Sequence, residues 1–254
     1  MDGGYLVEDR GTAPLVVPEP ELAAARARIG SFKHRLLHLQ PAGPIAAERL
    51  RAAIEDGLAD QVAHLSTGSD SFGLPAWRKW ARMMTDTRNA KGWPRVFADG
   101  AGLFGALLSI VEDVDGGIGA TGGHMRELQG AFLDEAAAIL DRPALTDAAA
   151  AWRSAGDLWE DLADAAVPGD LEGAAEAVEA DEALHDAIMA GEPGRAAARK
   201  AAAVVWATRD RYARSFAMPE ERVRDLFADL GERLEAIHAA ETAALEATRR
   251  ALVR

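Results

Sequence analysis

The residues best suited to chemistry gather first in a glycine-rich stretch. Gly116-Gly117-Ile118-Gly119-Ala120-Thr121-Gly122-Gly123 can adopt positive φ and admit a ligand close to its backbone. His124 and Arg126 follow it at the start of an expected helix, whose amide N–H groups could receive an anion. Gly119, Thr121, Gly122, Gly123, His124 and Arg126 are therefore candidate substrate contacts. The stretch matches neither the dinucleotide fingerprint nor the phosphate-loop pattern, and a structural turn is the competing reading. A second candidate is aromatic and cationic. Trp77-Arg78-Lys79-Trp80 and Lys91-Gly92-Trp93-Pro94 combine three tryptophans with cations. Trp77, Arg78, Lys79, Trp80 and Trp93 could form a binding face through apolar area and cation–π contact. The alternative is that the tryptophans anchor a core. Third, Glu182-x-x-His185 and Glu235-x-x-His238 each set a Glu and a His one turn apart, as in di-iron bundles. Inward acids would break an apolar stripe, however, and the expectation is no metal and no cofactor. Nucleophilic catalysis has little support, since there is no Gly-x-Ser-x-Gly.

The elements that must position these residues are mostly helices. Tyr5-Leu6-Val7 and Pro14-Leu15-Val16-Val17 are short β-type runs separated by a turn-like stretch. Two short strands do not stand alone in water and need a sheet, for which the rest of the chain offers no clear strands. Residues 33–39 read as a final strand or an extended connector, and Pro41-Ala42-Gly43-Pro44 as a linker. Helices are expected over 20–29, 45–65, 75–84, 100–114, 124–140, 144–167, 171–190, 195–216 and from 219 to the end. In the last of these Val223, Phe227, Leu230, Leu234, Ile237, Ala244 and Val253 keep three-to-four spacing. The expected architecture is mainly α, a multi-helix bundle of seven or eight helices behind a short β segment.

Composition bounds the function. With 49% apolar and 27% charged residues over 254 positions, the chain has an ordinary globular profile and enough length for a real core. It has no cysteine, which excludes disulfides, thiolate metal sites and a cysteine nucleophile within these residues. A net charge of −13 argues against nucleic acid, which requires a basic footprint. No apolar run is long enough to span a membrane and no signal peptide is read, so a cytoplasmic location is expected. The charge is unevenly spread. Between Ser154 and Gly194 there are twelve acids and no Lys or Arg. Between Trp77 and Phe97 six cations, Arg78, Lys79, Arg82, Arg88, Lys91 and Arg95, face one acid, Asp86. The plain reading is solvated helix faces. The sharper one is that the basic segment receives an anionic partner.

Residues 71–79, Lys91-Gly92-Trp93-Pro94-Arg95-Val96-Phe97, and the glycine stretch leading into Phe132-Leu133-Asp134-Glu135-Ala136 resemble the helical C-terminal domain of butirosin biosynthesis protein H-like proteins. That domain, of unknown function, follows an N-terminal domain resembling papain-like cysteine peptidases. Val7-Glu8-Asp9-Arg10-Gly11 and Pro14-Leu15-Val16-Val17 resemble the last hairpin of that first domain, and Lys33-His34-Arg35-Leu36-Leu37 its exit. The resemblance implies a remnant of the peptidase-like domain over 1–40 and the helical domain over 44–254. It also implies acyl transfer from an acyl carrier protein to a small amine acceptor, by a Cys nucleophile, a His base and an Asp orienter. Only Asp9 falls where the orienter would be; the Cys and His are absent. The expectation is a truncated chain, inactive alone, that contributes substrate or carrier binding. The alternatives are a non-catalytic helical module that self-associates as a homo-oligomer, and a metal-binding bundle.

Overall fold

A computed structural model describes residues 4–8, 11–28, 30, 40, 43–116, 123–214, 216 and 218–253, with side chains omitted at 115, 116 and 124. Two strands, β1 (Gly4–Val7) and β2 (Leu15–Pro18), pair antiparallel with Tyr5 opposite Val17 and Leu6 opposite Val16. Ten helices follow: α1 (Glu19–Arg28), α2 (Ala47–Leu65), α3 (Pro75–Thr85), α4 (Trp93–Val96), α5 (Leu103–Val111), α6 (Arg126–Leu140), α7 (Ala144–Ala166), α8 (Ala174–Met189), α9 (Arg195–Tyr212) and α10 (Glu220–Leu252). The protein is mainly α, as expected, and nine of the ten helices among the described residues fall on stretches expected to be helical. The one extra helix is short. The four residues of α4 are too few to show a periodic stripe. The expected connector over 33–39 lies outside the described residues.

The hairpin needs a partner and finds it on a helix junction. The Thr12 amide donates to the Met189 carbonyl at 2.6 Å, and the Glu192 amide to the Pro14 carbonyl at 3.3 Å. The Val16 amide donates to the Glu192 carboxylate at 3.0 Å, and Arg195 donates to the Val16 carbonyl at 2.6 Å. Gly191 makes this approach feasible: a Cβ there would lie 1.8 Å from the Ala13 carbonyl oxygen, and its φ is +68°. Where a sheet was expected to satisfy the strands, the α8–α9 turn satisfies part of β2 instead.

The spine is α10. Its 33 residues span about 50 Å at 1.5 Å per residue. Phe227, Leu230, Gly231, Leu234, Ile237, Glu241, Ala244, Leu245, Thr248 and Ala251 form its buried stripe, which steps by three and four. Val253, expected on that stripe, lies past the helix end and is exposed. Two apolar clusters sit along α10. One holds Phe104, Leu107, Leu108, Trp159, Leu162, Leu230, Leu234 and Ile237. The other holds Leu58, Leu133, Leu140, Leu145, Trp152, Ala244 and Leu245. Small residues of α7, among them Ala148, Ala155 and Ala163, let its neighbours pack closely. Two arginines tie down helix ends, where carbonyls lack intrahelical partners. Arg51 donates to the Ile139 and Leu140 carbonyls, and Arg142 to the Leu252 carbonyl at 2.8 Å and the Glu55 carboxylate at 2.8 Å.

Candidate binding site

Between the two apolar clusters lies a polar knot. Glu241, 0% exposed, follows Ile237 of the first cluster and precedes Ala244 of the second. Its carboxylate accepts the Trp77 indole N–H at 2.9 Å, the Trp159 indole N–H at 2.8 Å and the Arg126 Nε–H at 2.6 Å, with Arg126 Nη2 also at 2.6 Å. Four helices, α3, α6, α7 and α10, are joined at one side chain. A buried carboxylate is tolerated only with such a donor set. One turn pair along, the Trp152 indole N–H donates to Thr248 Oγ1 at 3.1 Å, and Thr248 donates to the Ala244 carbonyl at 2.9 Å. The Arg126 guanidinium also lies 5.6 Å from the Trp152 ring and 5.9 Å from that of Trp159.

Two glycines let Arg126 reach this depth. Gly123 has φ of +50°, and a Cβ there would lie 2.9 Å from Cα of Gly156. A Cβ on Gly156 would in turn lie 3.2 Å from Cβ of Arg126. The tight turn 123–125 therefore lies directly on α7. Its last residue, Met125, has φ of +66°, a left-handed conformation uncommon for an apolar side chain.

Two clefts of about 590 Å³ each open on this framework. The first lies between the end of α3, α4 and the start of α10, with Met84, Phe97, Phe216, Met218, Val223 and Phe227 as its apolar wall. Thr85, Thr87, Asp99, Glu220 and Arg224 lie around it. The second lies between α2 and α6, where Arg126 and Trp152 form part of the wall.

The structure unites some of the sequence candidates and separates others. Trp77 and Trp80 pack at 6.4 Å between ring centroids, and Trp77 meets Trp159 edge-on at 4.9 Å. Trp93 is elsewhere, edge-on to Phe97 at 5.1 Å and to Phe227 at 5.5 Å. All three candidate tryptophans pack against the core. Arg78 lies 3.7 Å from Glu235, and Lys79 3.1 Å from Asp70, whose carboxyl it holds below the usual range. The remaining cations of the basic segment, Arg82, Arg88, Lys91 and Arg95, are exposed and form no ion pair among the described residues. Gly123 and Arg126 meet at the knot. The side chain of His124 is not described, and Asp9, Gly119, Thr121 and Gly122 lie outside the described residues. Among the described residues no three of His, Asp or Glu are placed to hold a metal. Burial and the nearby Arg78 push the His238 imidazole below its ordinary pKa.

A family model matches residues 20–192, more than half of the chain. The chain belongs to the DUF4872 family, a domain of unknown function. No curated protein and no solved structure matches it. The DUF4872 match takes in Trp77, Arg126, Trp152 and Trp159, whereas Glu241 and Thr248 lie beyond its end. The polar knot thus binds the last helix of this DUF4872 chain to the matched helices.

Sequence reasoning missed Glu241, Thr248, Trp152 and Trp159. A signal was present for the first two. Stepping three to four residues from Ile237 towards Ala244 lands on Glu241, and the next steps land on Thr248. No described helix is long and apolar enough to cross a membrane.

Proposed function

We propose that this DUF4872 chain is the helical binding part of an acyl-transfer system similar to that of butirosin biosynthesis protein H, acting in the cytoplasm on a small amine acceptor. It receives an acyl carrier protein on the basic segment and the apolar acyl end in the cleft between α3, α4 and α10. Charge placement carries this reading. In a chain of net charge −13, the exposed cations Arg82, Arg88, Lys91 and Arg95 form no ion-pair contact among the described residues, and only Arg88 acts on a nearby acid, Asp86. They lie in the same stretch of chain as Met84, Thr85, Thr87, Pro94 and Phe97, which line that cleft. Acyl carrier proteins are acidic, and complementary charge speeds encounter and fixes orientation. The chain contains no cysteine, so the nucleophile of the implied chemistry comes from outside these 254 residues. Asp9 keeps only the orienting role that the resemblance implies.

The test is calorimetric titration with an acylated acyl carrier protein at low and high salt. Saturable binding that weakens as salt rises is expected. Joint reversal of Arg82, Arg88 and Arg95 to Glu should lower affinity tenfold or more, with the circular dichroism unchanged because all three side chains are exposed. Arg78 and Lys79 are left intact, since reversing them would also oppose Glu235 and Asp70. Absent binding, or binding indifferent to salt and to the reversal, would overturn the reading. A stable oligomer with no affinity for the carrier would favour the self-associating module.

A further inference from the structure

The cleft between α2 and α6 is separate from the carrier surface, and its wall has an unusual composition. Acids outnumber cations 41 to 28 in the chain, yet among the described residues no carboxylate lines this cleft. Three large apolar side chains stand open in it, Leu128 and Phe132 one turn apart on α6 and Met125 just before it: Met125 is 43% exposed, Leu128 50% and Phe132 39%. Trp152 and Leu65 continue the apolar wall. Leaving such area in water forgoes roughly 25 cal/mol for each Å².

Of the polar groups, His64 lies exposed at the edge, and the other three are held in place. Gln61 Nε2–H donates to Gln129 Oε1 at 3.0 Å, and Gln129 Nε2–H donates back to Gln61 Oε1 at 3.1 Å. This reciprocal pair spends one N–H and one lone pair of each amide and leaves one of each for a ligand. The Arg126 guanidinium is oriented by Glu241 and stacked beside Trp152, and its charge is balanced by that carboxylate. A cation would find no carboxylate among the described lining residues, and an anion would find Arg126 already paired and only the exposed, water-screened His64 beside it, whereas a neutral amide would match the two glutamines.

We propose that this cleft is a binding site for a small, neutral, amphipathic amide, with its aromatic or aliphatic body against Leu128, Phe132 and Trp152 and its amide paired with Gln61 and Gln129. The probe is 3-phenylpropanamide, compared by ligand-observed NMR titration with 3-phenylpropanoate and 3-phenylpropylamine of the same carbon skeleton. The amide should bind saturably, at least tenfold more tightly than either charged analogue. Gln129→Met should erase most of that preference while keeping weak binding, and Phe132→Ala should weaken all three probes. Unchanged melting temperatures identify the effects as local. Equal or tighter binding of the carboxylate would overturn the proposal in favour of an anion site. Absence of saturable binding, or an amide preference untouched by Gln129→Met, would overturn it outright. The carrier titration is scored independently, because none of these substitutions lies in the basic segment.

Discussion

Trp159 donates its indole N–H to Glu241 at 2.8 Å, seven residues from Trp152 on α7, just as Glu241 is seven residues from Thr248 on α10. The two indole bonds are therefore successive rungs between antiparallel helices, one ending on a carboxylate and one on a hydroxyl. Glu241→Ala would remove the acceptor shared by the Arg126 guanidinium and the Trp77 and Trp159 indole donors. The expected loss is about 3–5 kcal/mol in urea denaturation. Replacing both charged partners, Arg126→Met with Glu241→Leu, should cost clearly less than the sum of the single changes, because no buried charge is left over. Additive costs would show that the ion pair is not the source of the loss.

The second rung gives a milder test. Thr248→Val keeps the shape but leaves the Trp152 N–H buried without its acceptor, for an expected loss of about 1–3 kcal/mol. Thr248→Ser keeps the oxygen and should lose about 1 kcal/mol or less. Chemical denaturation of both variants, with tryptophan fluorescence as the readout, checks the order.

The glycines can be ranked. Gly57 sits exposed in α2 with nothing within 4 Å of a Cβ, so Gly57→Ala should stabilise by about 0.5–1 kcal/mol. Gly123→Ala drives a Cβ to within 2.9 Å of the Gly156 backbone at φ of +50° and should destabilise. It should also displace Arg126, so its cost should shrink in an Arg126→Met background. Thermal melts of the three variants distinguish a steric cost from a general loss of glycine flexibility.

Asp181 gives a pH signature. Burial, followed by the charge of Glu112, pushes its carboxyl up to about 6, against the opposing pull of Arg209 and His185. A raised acid binds its proton more tightly when folded, so its contribution is fully present below the unfolded value near 4 and is lost as pH rises through 6. The displacement corresponds to about 3 kcal/mol, which partial solvent screening reduces to roughly 1. Asp181→Asn should therefore raise the melting temperature at pH 7.5 by a few degrees and leave it unchanged at pH 4. An equal shift at both pH values would refute the assignment.

Elements with a long periodic stripe were legible from the chain itself. The expected helices over 144–167 and 195–216 begin where α7 and α9 begin. Boundaries slipped where local geometry departs from the α-helix. The expected helix over 100–114 gives way to a π-helical turn at Glu112–Gly116, and that over 124–140 opens with a 3-10 turn at Gly123–Met125. Neither feature leaves a periodic mark, since each is shorter than the stripe that would reveal it. The basic segment was read from sign alone, but composition could not tell Arg78 and Lys79, which meet acids, from Arg82, Arg88, Lys91 and Arg95, which form no ion-pair contact among the described residues.

Residue order by itself determined the mainly helical class, the apolar face of each long helix, the charge asymmetry and the lack of cysteine among these residues. These are properties of type and spacing within a few turns. Only the tertiary structure decided that Glu241, Arg126, Trp77 and Trp159 share one knot, that Arg126 also walls one of the clefts, and that the hairpin rests on the α8–α9 turn. Those relations join residues up to 179 positions apart. They are set by how small residues such as Gly123, Gly156 and Gly191 let backbones approach, and by the need of the buried Glu241 carboxylate and the indole N–H groups for partners.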